Sequence, residues 1–398
     1  MKRLVPFLLF LGLIPMTSMA QEEKSEPKEG YVFQITKDIP HTTVKDQYRS
    51  GTCWSFSGIA FFESELMRLG KGEYDLSDMF VVRQMYSDKA TNYVRMQGKS
   101  NFGSGGAFHD VLNNWKKYGM MPEETYNGLV INEDKHIHGE MDGVLGKYME
   151  AVIENPNKKL TPAWHKGFDG ILDAYLGEVP EKFTYKGKEY TPISFASSLG
   201  LNMDDYVAIT SFTHHPYYSK FVLELPDNWA CGQFYNLPLD EMMEVIDYAL
   251  ENGYTVAWAA DVSEKGFSHR KGVAVVPTVN TENLSGSELL KWQEMSKAEK
   301  EAQMYKLDKP GAEKVITPEI RQEAFDNYET TDDHGMQFVG LAKDQNGNKY
   351  YYVKNSWAES NDYKGYFFAS VPYVKYKTTN ILIHKDAVPK KIAKKLGL

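Results

Sequence analysis

The stretch Gln47-Tyr-Arg-Ser-Gly-Thr-Cys53-Trp-Ser-Phe56 places a glutamine six residues before a cysteine that opens an apolar run with helical spacing. The N-terminus of a helix lowers the pKa of a thiol, and the thiolate is the nucleophilic form of cysteine. The side-chain amide of Gln47 could donate an N–H to an anionic tetrahedral intermediate. The stretch therefore predicts a nucleophile and an oxyanion donor within seven residues.

Two candidate partners for Cys53 lie near the other end of the chain. His334 begins the strand-like run His-Gly-Met-Gln-Phe-Val-Gly-Leu, and Asn355 ends the second strand of a predicted hairpin. A hairpin brings these positions together, so the oxygen of Asn355 could accept the imidazole N–H and fix its tautomer, under the cover of Trp357. We predict Cys53 as nucleophile, His334 as base and acid, and Asn355 as the orienting residue. Gln47 and the backbone N–H of Cys53 form the expected oxyanion hole.

Each of these residues alone also has a structural explanation. A Cys-Trp pair often belongs to a core, a histidine beside a strand is often structural, and Asn-Ser-Trp often forms a turn. The chain has two cysteines, Cys53 and Cys231, which in an exported protein could form one disulfide. All four predicted residues in this order favour catalysis instead, and Cys231 is then expected to pack as a small apolar residue.

Length, charge and the N-terminal segment restrict the class of protein. The 398 residues are 42% hydrophobic, enough for one large domain or two smaller ones. Lys2 and Arg3, an apolar stretch and Ser18-Met19-Ala20 predict that residues 1–20 are a cleaved signal peptide, so we expect export to the periplasm or the outside. Cleavage takes the formal net charge from −9 to −11, which argues against a nucleic-acid partner. No later segment has the ~20 apolar residues of a spanning helix, so no membrane anchor is expected.

Apolar periodicity predicts a helical first half and a sheet-rich last third, hence the α+β class with a cleft between the halves. The charged residues 21–30 begin a leader, predicted to be flexible, that extends to residue 39. Helices are expected at 53–69, 107–118 and 239–253 and over most of 130–180, and a charged helical insertion at 281–333. Strands are expected at 183–190 around a Lys-Gly turn, at 255–260, in a hairpin at 338–353, and at 365–371 and 380–384.

These motifs resemble the papain superfamily of cysteine peptidases. The broad resemblance rests on the following motifs: Gln47-x5-Cys53-Trp-Ser-Phe, Ser104-Gly-Gly106, His334-Gly-Met and Lys354-Asn-Ser-Trp357. His334 follows Cys53 by 281 positions, far beyond the ~130–150 of papain-like enzymes. That extra length is typical of the bleomycin hydrolase and aminopeptidase C group. So are several motifs of the middle of the chain: Phe183-Thr-Tyr, His215-Pro-Tyr-Tyr, Tyr235-Asn-Leu-Pro-Leu-Asp and Val256-Ala-Trp-Ala-Ala-Asp.

The resemblance implies a two-lobed papain-like domain over residues 40–388. Its helical lobe would start at Cys53, a large insertion would span roughly 130–330, and a β-barrel-like lobe would start at His334. Gly105 and Gly106 would let a peptide substrate approach as an added strand, with Trp357 beside it. The alternative explanation of the two glycines is a flexible helix start. The group also implies a homo-oligomer, a hexamer with inward-facing active sites.

The C-terminus departs from the group, whose members usually end in an apolar arm that lies in the cleft. Residues 389–398 instead form a basic tail, for which a helix is favoured over an arm. The resemblance implies aminopeptidase action on peptides. Endopeptidase action is the alternative, because the arm is missing. An amidase or acyltransferase with the same Cys-His-Asn set, and a binding module without catalysis, are further alternatives.

No metal or organic cofactor is expected, because the histidines lack ligand spacings such as His-Glu-x-x-His. His136 and His138 are the weaker candidates for an adventitious metal site.

Overall fold

A computed structural model describes residues 1, 30–279, 281 and 284–398. Most of the predicted signal peptide and the first part of the leader lie outside these residues. Helices and strands both contribute extensively, so the predicted α+β class is confirmed. The helices of the described part are α1 Cys53–Arg68, α2 Asp78–Arg95, α3 Phe108–Lys117, α4 Gly139–Ile153, α5 Ala163–Leu176, α6 Pro192–Leu199, α7 Leu239–Glu251, α8 Gly286–Glu294, α9 Lys297–Met304, α10 Pro318–Asp326, α11 Val371–Lys377 and α12 Lys390–Leu396.

The predicted helices form where the apolar spacing placed them. Helix α1 begins at Cys53 and ends one residue before the predicted boundary, and Gly70 follows it with φ +68°, a conformation that glycine adopts without strain. Helix α3 ends just before Gly119. Helix α2 was not predicted, because its buried apolar residues are interspersed with buried polar ones such as Arg83 and Lys89. Polar residues on a buried face hide the period of 3.6.

The strands of the described part are β1 Phe33–Asp38, β2 Phe183–Tyr185, β3 Lys188–Tyr190, β4 Tyr206–Thr210, β5 Lys220–Val222, β6 Gln233–Asn236, β7 Val256–Ala260, β8 Phe267–Ser268, β9 Val273–Ala274, β10 His334–Asp344, β11 Lys349–Lys354, β12 Tyr366–Ser370 and β13 Thr378–His384. Eleven of them form one mixed sheet in the order β5-β6-β4-β13-β7-β10-β11-β12-β9-β8, with β1 also paired to β10. This sheet ends at β5 and β8 within the described residues, so the β-barrel-like lobe expected from the resemblance is an open sheet. The remaining pair, β2 and β3, forms the predicted Lys-Gly hairpin.

Strand β10 lies at the centre of the sheet and has three partners. Its first half, from His334 to Phe338, pairs with β7, and its later residues pair with β11. Its last part pairs with β1, from Phe33 opposite Asp344 to Asp38 opposite Gly340. Residues 33–38 were expected to belong to a flexible leader, and that expectation is wrong. The strand was missed because its side chains face mostly outward, so it lacks an apolar signature.

The insertion does not form a separate unit. Strands β4, β6 and β7 all come from the region 130–330 and lie in the main sheet, with β7 beside β10. In the charged stretch, helices α8 and α9 have no buried residues, whereas α10 buries Arg321, Gln322 and Ala324. In the described residues, no helix has the length and apolar character needed to cross a membrane.

In the described part of the chain, two large hydrophobic cores and two smaller clusters hold the fold together. The first fills the helical lobe around Phe62 and Leu66 of α1, and the second surrounds Trp258 and Phe338 in the sheet. Helix α12 buries Ile392 and Leu396 in the second core, so the basic tail is the helix that its composition favoured. The N-terminus of α1 and the start of β10 meet where the two lobes adjoin.

Candidate active site

A cleft of about 500 Å³ opens between the helical lobe and the sheet, and six of the seven predicted site residues line it. These are Gln47, Cys53, Gly105, Gly106, His334 and Trp357. The seventh, Asn355, is buried behind His334 and bonded to it. The fold therefore brings together residues that are separated by up to 310 positions in the chain.

Cys53 is the first residue of α1, as the sequence predicted. Burial raises the pKa of its thiol to about 12, although backbone N–H groups of Gly335 and Trp54 act in the opposite direction. Desolvation of the buried thiol therefore outweighs the lowering expected from the helix N-terminus. Both cysteines are free, so the alternative of a disulfide is excluded, and Cys231 is exposed rather than packed as expected.

His334 is held in one tautomer by its neighbour in the hairpin. Its Nε2 lies 2.7 Å from Oδ1 of Asn355, and the same oxygen accepts the backbone N–H of Ser356 at 2.8 Å. An oxygen that accepts a backbone N–H is an acceptor, so Nε2 of His334 carries the proton and Nδ1 has the lone pair. Burial lowers the pKa of His334 to about 4. The ring is therefore neutral at pH 7 and able to accept a proton.

Trp357 covers this hydrogen bond. Its ring centroid lies 4.6 Å from that of His334, at an interplanar angle of 31°. The backbone of Trp357 forms a bridge with Asp46, which fixes the indole beside the segment that carries Gln47. The predicted shielding role matches this position.

The amide of Gln47 is oriented by Ser356. The Ser356 hydroxyl donates to Oε1 of Gln47 at 2.6 Å, and the backbone N–H of Gln47 donates to the Ser356 carbonyl at 2.9 Å. Since Oε1 is occupied, the NH2 group is the part of this buried side chain that remains available as a donor in the cleft. This is the orientation that an oxyanion donor needs.

The two glycines lie where side chains would not fit. A Cβ atom at Gly106 would be 2.8 Å from the ring of Trp54, and one at Gly105 would be 1.9 Å from Oδ2 of Asp227. The indole N–H of Trp54 donates to the Ser104 carbonyl at 3.0 Å, and the Lys89 ammonium donates to the carbonyl of Gly105. Close contact therefore explains the glycines better than a flexible helix start does.

Three carboxylates in the cleft were not predicted from the sequence. Asp227, Asp332 and Asp333 all line it. Burial and the charge of Asp227 raise the pKa of Asp332 to about 7, and burial also raises the pKa of Asp227. Burial raises the pKa of Asp333 too, but hydrogen bonds from Asp261, Ser263 and Thr331 bring it down to about 2. Asp332 and Asp333 directly precede His334, which is a usable signal, whereas no motif marks Asp227.

A second histidine contacts the predicted set. Nδ1 of His269 lies 3.3 Å from the side-chain nitrogen of Asn355, and its ring packs 5.0 Å from Trp357. His269 thus contributes to holding Asn355 in the orientation that His334 requires. It was missed because no spacing rule connects it with the hairpin.

Helix α1 and strand β10 pack directly against each other behind the cleft. A Cβ atom at Gly335 would be 2.6 Å from the Ser57 hydroxyl, so only glycine fits here without movement. Two turns further along, the amide of Gln337 donates to the Ser64 hydroxyl at 2.8 Å. The helix that carries the thiol and the strand that carries the imidazole are therefore in direct contact along several residues.

The chain is a cysteine-type peptidase with an α+β fold, as its similarity to the following relatives shows. A family model described as the Peptidase C1-like family matches residues 286–397. The chain is 22% identical to aminopeptidase C of Streptococcus thermophilus, covering 92% of this chain and 85% of the relative. It is also 22% identical to aminopeptidase G of Lactobacillus delbrueckii subsp. lactis, over 89% and 84% of the two chains.

A solved structure has the same fold. The crystal structure of PepW from Lactobacillus rhamnosis superposes with a TM-score of 0.67 at 19% identity, covering 92% of this chain and 84% of that chain. These similarities confirm the resemblance to the aminopeptidase C group of papain-like cysteine peptidases.

Proposed function

We propose that this chain is an exported cysteine aminopeptidase that removes residues from the free N-terminus of peptides. Cys53 is the nucleophile, His334 the base and acid, Asn355 the orienting residue, and Gln47 the oxyanion donor. The names of the curated relatives support an aminopeptidase, and the geometry of the cleft supports the assignment of roles.

The proposed reaction begins from a neutral pair, since burial keeps the Cys53 thiol and the His334 ring uncharged. Nδ1 of His334 takes the thiol proton as sulfur attacks the substrate carbonyl. The resulting oxyanion is stabilised by the amide of Gln47 and the backbone N–H of Cys53. The imidazolium then protonates the leaving amine, and water activated by the neutral imidazole hydrolyses the thioester.

Asp227 is the single observation that favours an aminopeptidase over an endopeptidase. Its carboxylate lies in front of Gly105, where the backbone of a longer peptide would run as an added strand, and Asn101 holds it with a hydrogen bond of 2.9 Å. Asp332 lies next to it in the same cleft. Two carboxylates in this part of the cleft suit the α-ammonium group of a substrate N-terminus.

The last ten residues of the described chain take no part in this recognition. Helix α12 packs on the sheet core, and Lys395 bonds to Glu241 of α7, so residues 389–398 do not line the cleft. In the proposed mechanism, side chains of the cleft itself block longer peptides.

The test compares free-amine and N-acetylated forms of the same fluorogenic dipeptide amide. We expect hydrolysis of the free-amine form only, and no hydrolysis by Cys53→Ala. Asp227→Asn should lower kcat/KM for the free-amine form by about 10- to 150-fold, because a hydrogen bond to a charged group contributes ~1.5–3 kcal/mol. Asp204→Asn, which alters an exposed carboxylate elsewhere, is the matched control. Equal turnover of the acetylated form would refute the aminopeptidase assignment, and activity in Cys53→Ala would refute the mechanism.

Export and assembly remain parts of the proposal that rest on the sequence. N-terminal sequencing of the mature protein should begin near Gln21, and light scattering should give the mass of a homo-oligomer, with a hexamer expected. The acyltransferase alternative predicts that an added nucleophilic amine is ligated in preference to water. Hydrolysis that dominates in the presence of that amine would exclude it.

A further inference from the structure

Two histidines and a glutamate converge outside the catalytic cleft. Nε2 of His214 lies 3.1 Å from Oε2 of Glu224, and Nε2 of His215 lies 3.2 Å from Oε1 of the same carboxylate. No two of the three ligand atoms are more than 4.8 Å apart. Among the described residues, His214, His215 and Glu224 are the one group of three or more such side chains that could surround a metal ion. His136 and His138 belong to no such group there, because no third ligand lies close enough.

The tautomer of His214 is fixed by Gln322. Oε1 of Gln322 accepts the backbone N–H of Thr213 at 2.7 Å, which identifies this atom as the oxygen of the amide. The same oxygen lies 3.1 Å from Nδ1 of His214, so Nδ1 must donate. Nε2 of the neutral ring then carries a lone pair that faces a carboxylate oxygen. Two acceptors at 3.1 Å repel each other unless a proton or a cation lies between them.

His215 is also held in place. Its ring stacks on Phe221 with centroids 4.1 Å apart and an interplanar angle of 26°. The ring of His214 packs against Phe325 in a similar way, at 5.9 Å and 19°. The hydrogen bond from His214 to Gln322 is the kind of outer support that orients histidine ligands of metals. The aromatic contacts further restrict rotation of the two rings.

We propose that His214, His215 and Glu224 bind a zinc ion, with water completing the coordination. Two imidazoles and one carboxylate are a common ligand set for zinc, with bonds of about 2.0–2.2 Å. Neighbouring ligand atoms around a tetrahedral zinc ion are about 3.4 Å apart, close to the two N–O distances of this cluster. The ion would replace the unfavourable contact of two acceptors with two metal–ligand bonds.

Zinc at this position would act on the segment that borders the cleft. Glu224 follows β5 and directly precedes Leu225, which lines the cleft together with Asp227. The histidines follow β4 and precede β5, so an ion would tie together the two ends of the segment 214–224, which contains β5, and anchor the start of the segment 225–228. This inference does not depend on the proposed aminopeptidase activity.

Calorimetric titration with zinc chloride tests the proposal. The full mature chain is stripped with a chelator and carries Cys53→Ala and Cys231→Ser, because thiolates also bind zinc. We expect one equivalent to bind, and His214→Ala, His215→Ala and Glu224→Gln each to lower the affinity by at least 10- to 100-fold, the loss typical of removing only an outer partner. His165→Ala is the matched control, since His165 pairs with Asp169 as a histidine–carboxylate pair.

Hydrogen–deuterium exchange provides a second measurement. Zinc should slow exchange of backbone amides at 222–228 in the parent protein and in His165→Ala, but not in Glu224→Gln. The proposal would be overturned if the parent protein, which carries only Cys53→Ala and Cys231→Ser, bound no zinc. It would also be overturned if the three ligand variants bound zinc as tightly as this parent protein. Binding that His165→Ala weakens as strongly as His214→Ala would overturn it as well.

Discussion

The hydrogen bond between Ser356 and Gln47 gives the sharpest prediction about the proposed reaction. The Ser356 hydroxyl donates to Oε1 of Gln47 at 2.6 Å, and so directs the NH2 group toward the cleft. Gln47→Ala removes the donor itself and should lower kcat by about 10²–10³, the range for one oxyanion-hole donor. Ser356→Ala removes only the orienting hydrogen bond, whose net contribution is ~0.5–1.5 kcal/mol. That energy corresponds to a loss of about 2- to 13-fold in kcat.

A double-mutant cycle separates orientation from other effects of Ser356. If the hydroxyl acts through Gln47, Ser356→Ala should have no further effect on kcat in the Gln47→Ala background. The backbone contacts of Ser356 with Gln47 and Asn355 persist in the alanine variant, so the hairpin should keep its geometry. Ser197→Ala, which removes an exposed hydroxyl bonded to the Ile193 carbonyl, is the control for the substitution itself.

The assay measures kcat and KM of the four proteins with a free-amine fluorogenic substrate. KM should change little, because the oxyanion forms only after attack. An equal loss from Ser356→Ala with and without Gln47 would refute the orienting role. A Gln47→Ala variant with unchanged kcat would refute the oxyanion assignment.

Three other predictions concern two residues of the cleft, Gly106 and Asp332, and the buried charge cluster around Lys45. Gly106→Ala places a Cβ atom 2.8 Å from the Trp54 ring, so it should lower the free energy of unfolding by about 1–3 kcal/mol in urea titrations and reduce kcat/KM; wild-type values for both would contradict the close-contact explanation. Lys45→Met leaves Asp78 and Glu63 buried without their ammonium partner, and should lower the free energy of unfolding by ~3–5 kcal/mol, whereas a loss below 1 kcal/mol would mean that these carboxyls are neutral. The pKa of Asp332 is raised to about 7, so this carboxyl loses its charge as the pH falls below 7; kcat/KM for a free-amine peptide should then decline, and Asp332→Asn should abolish this decline. An unaltered pH profile in Asp332→Asn would exclude the residue from amine binding.

The parts of the site that the sequence predicted are those that a short motif specifies completely. Cys53 and Gln47 belong to one segment, and a hairpin places Asn355 beside His334 once its two strands pair. The helix start at Cys53 and the hairpin are local structures, set by apolar spacing and by a turn. Each could therefore be predicted without knowledge of the tertiary fold.

The residues that were missed depend on contacts between distant segments. Asp227 reaches the cleft on an irregular segment after β5, and His269 reaches Asn355 from the turn between β8 and β9. Strand β1 forms because β7 pairs only with the first half of β10, which leaves the last part of β10 free to pair with β1. The residues of β1 itself are mostly exposed. The net shift in the pKa of Cys53 could not be predicted, since a helix N-terminus can be read from sequence but the depth of burial, which raises this pKa, cannot.

The direct packing of α1 on β10 has a consequence for how such an enzyme can be switched on and off. Gly335 touches the first turn of the helix, and Gln337 is bonded to Ser64 on the same helix face. A hinge between the lobes would have to break this interior contact before it could separate sulfur from imidazole. Opening and closing of the molecule is therefore a poor means of control, and we expect regulation to act on admission of substrate at the rim of the cleft.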